Sequence, residues 1–464
     1  MQSTFVVPCS PAVGSGFSVV FAERILREAQ TLELFPLWAQ LPLGHPTRRC
    51  TSYTPQQRLA ALLAGLACGL KGIAPGNTFL RPNTALQAWL GGRFPDQGTI
   101  HRWLGQVTGP QAANLRHHLH QVVHDHGRFW EILGSAHCLV VDIDGQGLAA
   151  KGPRFEQAAV GYLGEGLDSG YQRYVCYAAA TREVLDEFLT PGNKTLMSQL
   201  PELLNGLDEV IPRVERGHVI LRLDSHGGTI ANIRLMRQHG YHYICPLLSW
   251  AAVQRLRQHL AGQRGGWFEE TDSKGQLHRV QFWVLRRWRL SGRGRGRQLD
   301  TRVTVYHETR PDGKREWLAL LSDLKREKGR RLWQRYHERG GTIEEYNDQS
   351  ERAYHLEVMR TGHFEGLQAL HSLVGLCWNL TQWATEALRL PPVQAPAAAP
   401  TGWVAVLTLD LAAVQERAAH SGLRLYRERS GAVLEVEDTV ETAESAAWRR
   451  WLQQPIQLRL RLTG

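Results

Sequence analysis

CLVVDIDGQGL at residues 138–148 decides the reading of this chain. A short β-branched apolar run, interrupted by Asp142 and Asp144 and closed by Gly145 and Gly147, reads as a buried strand carrying acids toward its end. HVILRLDSHGG at 218–228 repeats the design, an apolar run ending on Asp224 and a glycine pair. Between them, YQRYVCYAAATREVLDEFL (171–189) offers a second strand and a third around a turn. PGNK (191–194) breaks the chain, and TLMSQLPELLNGL (195–207) has helical spacing. A helix, IANIRLMRQHG (230–240), and a strand, YHYICPLL (241–248), follow. Strand, helix and strand alternate, which predicts an α/β core on a mixed sheet.

Outward from this core the texture changes. VVFAERILREAQTLELF (19–35) and QQRLAALLAGLACGL (56–70) place apolar residues three and four apart, so the N-terminal part is expected to be helical. Within it, Asp96 or Thr99 caps a short helix bearing His101, Arg102 and Trp103, either a DNA-reading helix or one packed through Trp103 and Leu104. From Trp250 to Trp317 the pattern reads as β-structure, with turns at DSKGQ (272–276) and RPDGK (310–314) between runs such as RVQFWVLRRW and TRVTVYH. Helical spacing resumes at RLWQRYHERGGTIEEYNDQSERAYHL (331–356), broken at Gly340 and Gly341, and continues through LHSLVGLCWNLTQWATEAL (370–388). PPVQAPAAAP (391–400) reads as a linker. The expected domains are thus 1–134, helical; 135–390, α/β with a β-rich insertion at about 250–325; and 391–464, linker and small C-terminal module.

Hydrophobic residues at 43% and charged residues at 21% of 464 exclude a disordered chain. Seven scattered cysteines, never in a CxxC pair, suggest neither a disulfide framework nor a zinc ribbon and fit a reducing cytoplasm. No basic segment precedes the first apolar residues, and no run approaches the ~18 apolar residues of a membrane span, so neither export nor membrane insertion is expected. The net charge is +10, and residues 279–331 alone hold 16 Lys and Arg against six acids, so the excess is local. Arginine dominates there, with Arg287 and Arg289 flanking Trp288 and Arg293, Arg295 and Arg297 in SGRGRGRQ. This composition suits phosphate contacts, and Trp288 rather than Trp283 is the candidate for stacking on a base.

Two aspartates at strand ends, Asp144 directly before a glycine and Asp224 with a glycine pair three and four residues on, suit phosphoryl transfer with divalent metal, because hard oxygen ligands hold Mg²⁺ or Mn²⁺ and small neighbours leave room for a nucleic-acid backbone. Asp144 is preferred to Asp142 as nearer the strand end, although residues two apart on a strand share a face.

VVDIDGQGL, LRLDSHGG, PGNK and YHERGGTIEEYN followed by WNLTQWA resemble the DDE transposases of bacterial insertion sequences, over roughly residues 50–390. The resemblance implies a ribonuclease-H-like catalytic core with a β-rich insertion before the catalytic Glu and a helical, DNA-binding N-terminal domain. It further implies Asp144, Asp224 and Glu344 as catalytic ligands of two Mg²⁺ or Mn²⁺ ions, with Tyr336 and Arg339 holding DNA phosphate. The expected partners are double-stranded DNA, as terminal repeats and target, and a second copy of the chain in a synaptic dimer. The chain departs from the family pattern in two ways. Arg339 to Glu344 is longer by one residue than the strictest form of the motif, leaving Glu345 as an alternative, and the family lysine falls on Glu351, or on Arg352 when counted from Glu345. A metal-dependent nuclease with the same site and an inactive DNA-binding descendant are the other readings.

Overall fold

The computed structural model describes residues 19–43, 53–135, 137–164, 166–224, 227–271, 277–291, 298–309, 312–385, 423–428 and 431–436. They divide into two compact units, one of residues 1–116, 150–157 and 348–464, the other of residues 117–149 and 158–347.

The first unit is helical. Its core joins α1 (Val19–Thr31), α3 (Pro55–Ala67) and α14 (Phe364–Thr385), with α2 (Leu34–Gln40) against α3. A capping box starts α3: Gln57 N donates to Thr54 Oγ1 at 3.2 Å, Thr54 N donates to Gln57 Oε1 at 2.9 Å, and Pro55 takes the first helical position. After the short α4 (Gly76–Phe79) and α5 (Thr84–Trp89), Asp96 caps α6 (Gln97–Leu104). Trp103 and Leu104 are buried there and Arg102 is exposed, so this helix packs through its aromatic face. The long α7 (Gly109–His126) and α8 (Phe129–Gly134) lead into the sheet.

One ten-stranded sheet organises the second unit. β1 (Leu139–Ala149) pairs antiparallel with β3 (Leu167–Ala178), whose far edge is lined in turn by β2 (Ala159–Tyr162) and β4 (Glu183–Pro191). On its other side β1 pairs in parallel with β5 (Val219–Leu223), and β5 with β6 (His242–Pro246), the connections being α9 (Leu196–Val210) and α10 (Ile230–His239). The order β4–β3–β1–β5–β6, three antiparallel strands then two parallel ones, is the ribonuclease-H-like arrangement. Every residue of β5 is buried, as expected of a central parallel strand, including Arg222, which interrupts its otherwise apolar run.

The β-rich insertion is a continuation of that sheet. β7 (Gly266–Thr271), β8 (Leu277–Ser291), β9 (Gln298–Thr309) and β10 (Arg315–Ser322) form an antiparallel meander whose last strand pairs with β6, Leu321 opposite Cys245. Residues 250–260, read as β-structure from sequence, are instead α11 (Trp250–Leu260), capped by Ser249 Oγ accepting from Ala252 N. Its buried Val253, Leu256 and Leu260 stand three and four apart, a helical spacing masked by the surrounding aromatic and β-branched residues. After the insertion come α12 (Gly329–His337), a 3₁₀ turn at Glu338–Gly341 and α13 (Ile343–Tyr354), so the break falls at the glycine pair. Phe268, Val280 and Tyr306 of the insertion close over Leu332 and Trp333 of α12. Two short strands, β11 (Leu423–Glu428) and β12 (Gly431–Val436), pair near the C-terminus. No helix among the described residues is long and apolar enough to cross a membrane.

The glycines that follow Asp144 directly and Asp224 at a distance of three and four residues have a packing reason. A Cβ at Gly145 would meet the Tyr174 ring at 2.8 Å, and one at Gly228 would lie 1.9 Å from the Pro246 carbonyl oxygen. Gly228→Ala therefore forces the backbone after Asp224 away from the end of β6. A loss of about 1–3 kcal/mol is expected in a denaturant melt.

Candidate active site

The parallel register of β1 on β5 places Ile143 opposite Leu223. Continuing it by one residue sets Asp144 beside Asp224, with the two backbones about 4.8 Å apart across the strand pair. Asp224 follows the last residue of β5, whereas β1 runs on through Gly145 and Gly147 to Ala149 in its pairing with β3, so Asp144 stands at mid-strand and not at the strand end the sequence suggested. Asp224 is half-buried and the Asp144 side chain is 18% exposed. Arg339 Nη2 lies 2.8 Å from Asp144 Oδ1 and donates to the Ile143 carbonyl, while Asn347 Nδ2 donates to Asp144 Oδ2 at 3.2 Å. Burial raises the pKa of Asp144; the Arg339 guanidinium opposes this and the Asp224 charge adds to it, leaving the net direction upward. Burial disfavours the charge on Arg339, but Asp144, Asp142 and Asp224 outweigh it and push that pKa above its ordinary value.

Asp142 shares the strand face with Asp144 yet has a different environment. It is fully buried and receives Arg222 in a two-pronged pair, Nε to Oδ1 at 2.5 Å and Nη2 to Oδ2 at 2.8 Å, with Thr342 Oγ1 donating to Oδ2. The register explains this, since Asp142 sits directly opposite Arg222 on β5. Arg222 also donates to the Arg335 carbonyl, so the pair ties β1 and β5 to the segment before α13.

Glu344 and Glu345 both occupy the first turn of α13, where the helix's positive end favours carboxylates. Glu344 is 60% exposed with Oε1 3.9 Å from Arg339 Nη1, so one guanidinium stands between it and Asp144. Glu345 turns instead to Arg182, 2.5 Å away. Tyr346 beneath them is buried; its hydroxyl donates to Glu187 Oε2 at 2.6 Å and accepts from Arg173 Nη2, and its ring stacks on Tyr177. Tyr346→Phe leaves the buried Arg173–Glu187 pair short of a partner. A loss of about 1–3 kcal/mol is expected by chemical denaturation.

Among the described residues, three ligand atoms gather within 4.8 Å of one another at His117–His120–Glu209 and at Glu156–His363–Glu365, not at the three acids around Arg339. The acids nevertheless fit a hard divalent cation. Asp144 and Asp224 are oxygen donors on adjacent parallel strands, and the repulsion between them is what a cation removes.

The remaining sequence candidates are dispersed. Tyr336 is half-buried against the insertion core, and burial pushes its hydroxyl up to about 12. Arg287 and Arg289 are exposed and both pair with Asp300, at 2.6 and 3.2 Å. Trp288 is half-buried against His259 and lines, with Arg234, Arg255 and Arg289, a cavity of about 600 Å³. Trp283 is buried and stacked on Trp317. Arg352 pairs with Asp348 at 2.7 Å. Arg293, Arg295 and Arg297 lie outside the described residues. Asn347 went unnoticed in the sequence. Its signal was its place three residues after Glu344, on the same helical face.

A sheet of this order, with acids side by side on its central parallel strands, defines the class, and the chain belongs to the transposase DDE domain family, whose model matches residues 138–380. It is a transposition enzyme in that general sense. No protein of curated function matches it significantly. Among solved structures it is similar to that described as "Cryo-EM structure of piggyBac transposase synaptic complex with hairpin DNA", with TM-score 0.38 and 10% identity, over 96% of this chain and 80% of that one.

Proposed function

We propose that the protein is the DNA transposase of a bacterial insertion sequence, cleaving DNA at the element's ends and joining those ends to a target, with Asp144, Asp224 and Glu344 as ligands of two Mg²⁺ or Mn²⁺ ions. The observation that carries this is the register placing Asp144 beside Asp224, with Glu344 reaching the same Arg339. Bound there, the metal ions would act as Lewis acids on the scissile phosphate and lower the pKa of the attacking water or 3′-hydroxyl. Asn347 orients Asp144 by its amide hydrogen bond, and Asp142 serves the fold through Arg222. Arg339 neutralises Asp144; on DNA it and Tyr336 serve the phosphate near the cut. Arg287, Arg289 and the arginines at 293, 295 and 297 contact backbone, Trp288 stacks on a base beside its cavity, and Arg352 adds a further phosphate contact. The helical N-terminal domain binds the terminal repeats, and two copies hold the two ends.

The test uses the full chain with a supercoiled plasmid carrying the DNA that flanks its own coding sequence. Nicked and joined products requiring Mg²⁺ or Mn²⁺ are expected, with binding that weakens steeply between 50 and 200 mM salt. Cleavage that persists in chelator overturns the proposal; cleavage without joined products reduces it to a nuclease.

A further inference from the structure

Outside the acidic site, α7 presents His117 and His120, three residues apart, to Glu209 near the end of α9. Glu209 Oε2 lies 2.6 Å from His117 Nδ1 and 2.9 Å from His120 Nδ1. His120 is 4% exposed, and its other nitrogen, Nε2, lies 2.7 Å from Oδ1 of the fully buried Asp186 on β4. His124 Nδ1 meets the Val210 carbonyl at 2.9 Å and fixes α7 alongside α9.

We propose that His117, His120 and Glu209 form a zinc site that clamps α7 to α9. Asp186 supplies the argument. An ionised carboxylate requires the ring proton on His120 Nε2, so in the neutral ring the lone pair is on Nδ1, aimed at Glu209. This is the carboxylate–histidine–metal arrangement in which an outer acid sets the tautomer and orientation of a ligand. Without a cation, the Nδ1–Glu209 contact needs a second proton; Zn²⁺ replaces it and is shared by both imidazoles and the carboxylate. On His117 the Nε2 atom faces the Gln121 amide nitrogen at 3.0 Å, so metal binding there turns the exposed Gln121 amide over, its oxygen taking the Nε2 proton and freeing Nδ1. Zinc bonds of about 2.0–2.1 Å set tetrahedral donors roughly 3.3 Å apart, so the two His–Glu209 separations open by roughly 0.4–0.7 Å, while the two imidazole nitrogens already lie within 4.8 Å of each other. Two imidazoles and one carboxylate select Zn²⁺ or its neighbours over Mg²⁺, which prefers six oxygens.

The other three-residue group makes the contrast. His363 Nδ1 accepts the Gly366 N–H, so its neutral ring carries the proton on Nε2, the atom that faces Glu156 and Glu365. A backbone N–H cannot turn over as the Gln121 amide can, so that ring stays a hydrogen-bond donor to its acids and offers them no lone pair for a cation.

The test strips the full chain with chelator, adds excess Mg²⁺ to fill oxygen sites, and titrates Co²⁺ while recording visible d–d absorption. One Co²⁺ per chain in a low-coordinate band, displaced by Zn²⁺, is expected in the wild type. It is expected to persist in Asp144→Asn, to weaken about 10–100-fold in Asp186→Asn, and to be lost in His117→Ala. His117 and Glu209 are both about half exposed, so either variant keeps the fold, and Glu209→Gln repeats the test should His117→Ala not fold. No band in the wild type, a band unchanged in His117→Ala and Glu209→Gln, or one lost in Asp144→Asn overturns the site. None of these results bears on DNA cleavage.

Discussion

Asp224→Asn is expected to lower the rate of DNA cleavage by about 10³-fold, with the fold intact. Metal ions at a phosphoryl-transfer site supply several kcal/mol of transition-state stabilisation, and each 1.36 kcal/mol is tenfold in rate, so losing one carboxylate ligand is worth roughly three decades. The amide has the same shape, so the packing around the half-buried side chain is kept. The substitution also removes the like charge that helps raise the pKa of Asp144, so stability is expected to hold or rise slightly. A gel assay of plasmid nicking in Mg²⁺ and in Mn²⁺, beside a thermal melt, separates the two effects. An Asp224→Asn protein that cleaves like the wild type removes Asp224 from the proposed ligand set.

Asp142→Ala is expected to do the reverse, costing about 3–5 kcal/mol of folding free energy because it leaves the Arg222 guanidinium buried without its carboxylate. For a unit of this size, a melting point lower by roughly 6–20 °C follows. Arg222→Met alone is expected to be comparably harmful, and Asp142→Leu with Arg222→Met to recover much of the loss, since a buried ion pair replaced whole by apolar groups is often neutral. Asp144→Asn, by contrast, is expected to keep the melting point within a few degrees while losing cleavage. Equal melting points for Asp142→Ala and the wild type would remove Asp142 from its structural role.

The contrast between these neighbouring acids marks the limit of what the sequence discloses. β1 and β5 were legible because their mostly buried first halves leave short apolar, β-branched runs, broken only by Asp142 and Arg222, and Asp224 was legible because no other acid stands near it. Strand parity cannot separate Asp142 from Asp144, which share a face. What distinguishes them is Arg222, eighty residues away and brought opposite Asp142 by a parallel register that no local pattern encodes. Glu344 and Glu345 are neighbours about 100° apart on a helix, and Arg182, which takes up Glu345, lies on the distant turn between β3 and β4. Helix α11 was missed because aromatic and β-branched residues on either side biased the reading toward strands. Trp288 was set apart from Trp283 by its flanking Arg287 and Arg289; a register shift between Leu285 and Trp288, which no local pattern encodes, contributes to their different surroundings.

The pairing of β10 with β6 has a consequence for how this chain can vary. A detour hung on a loop could be trimmed by any deletion that rejoins its ends, but here the last strand of the detour shields the hydrogen-bonding edge of a core strand. Excising it would leave β6 as a raw margin open to strands of other molecules, a recognised route to aggregation. Length changes are therefore tolerable at the outer turns, while β10 is under the same constraint as the strands that carry the acids.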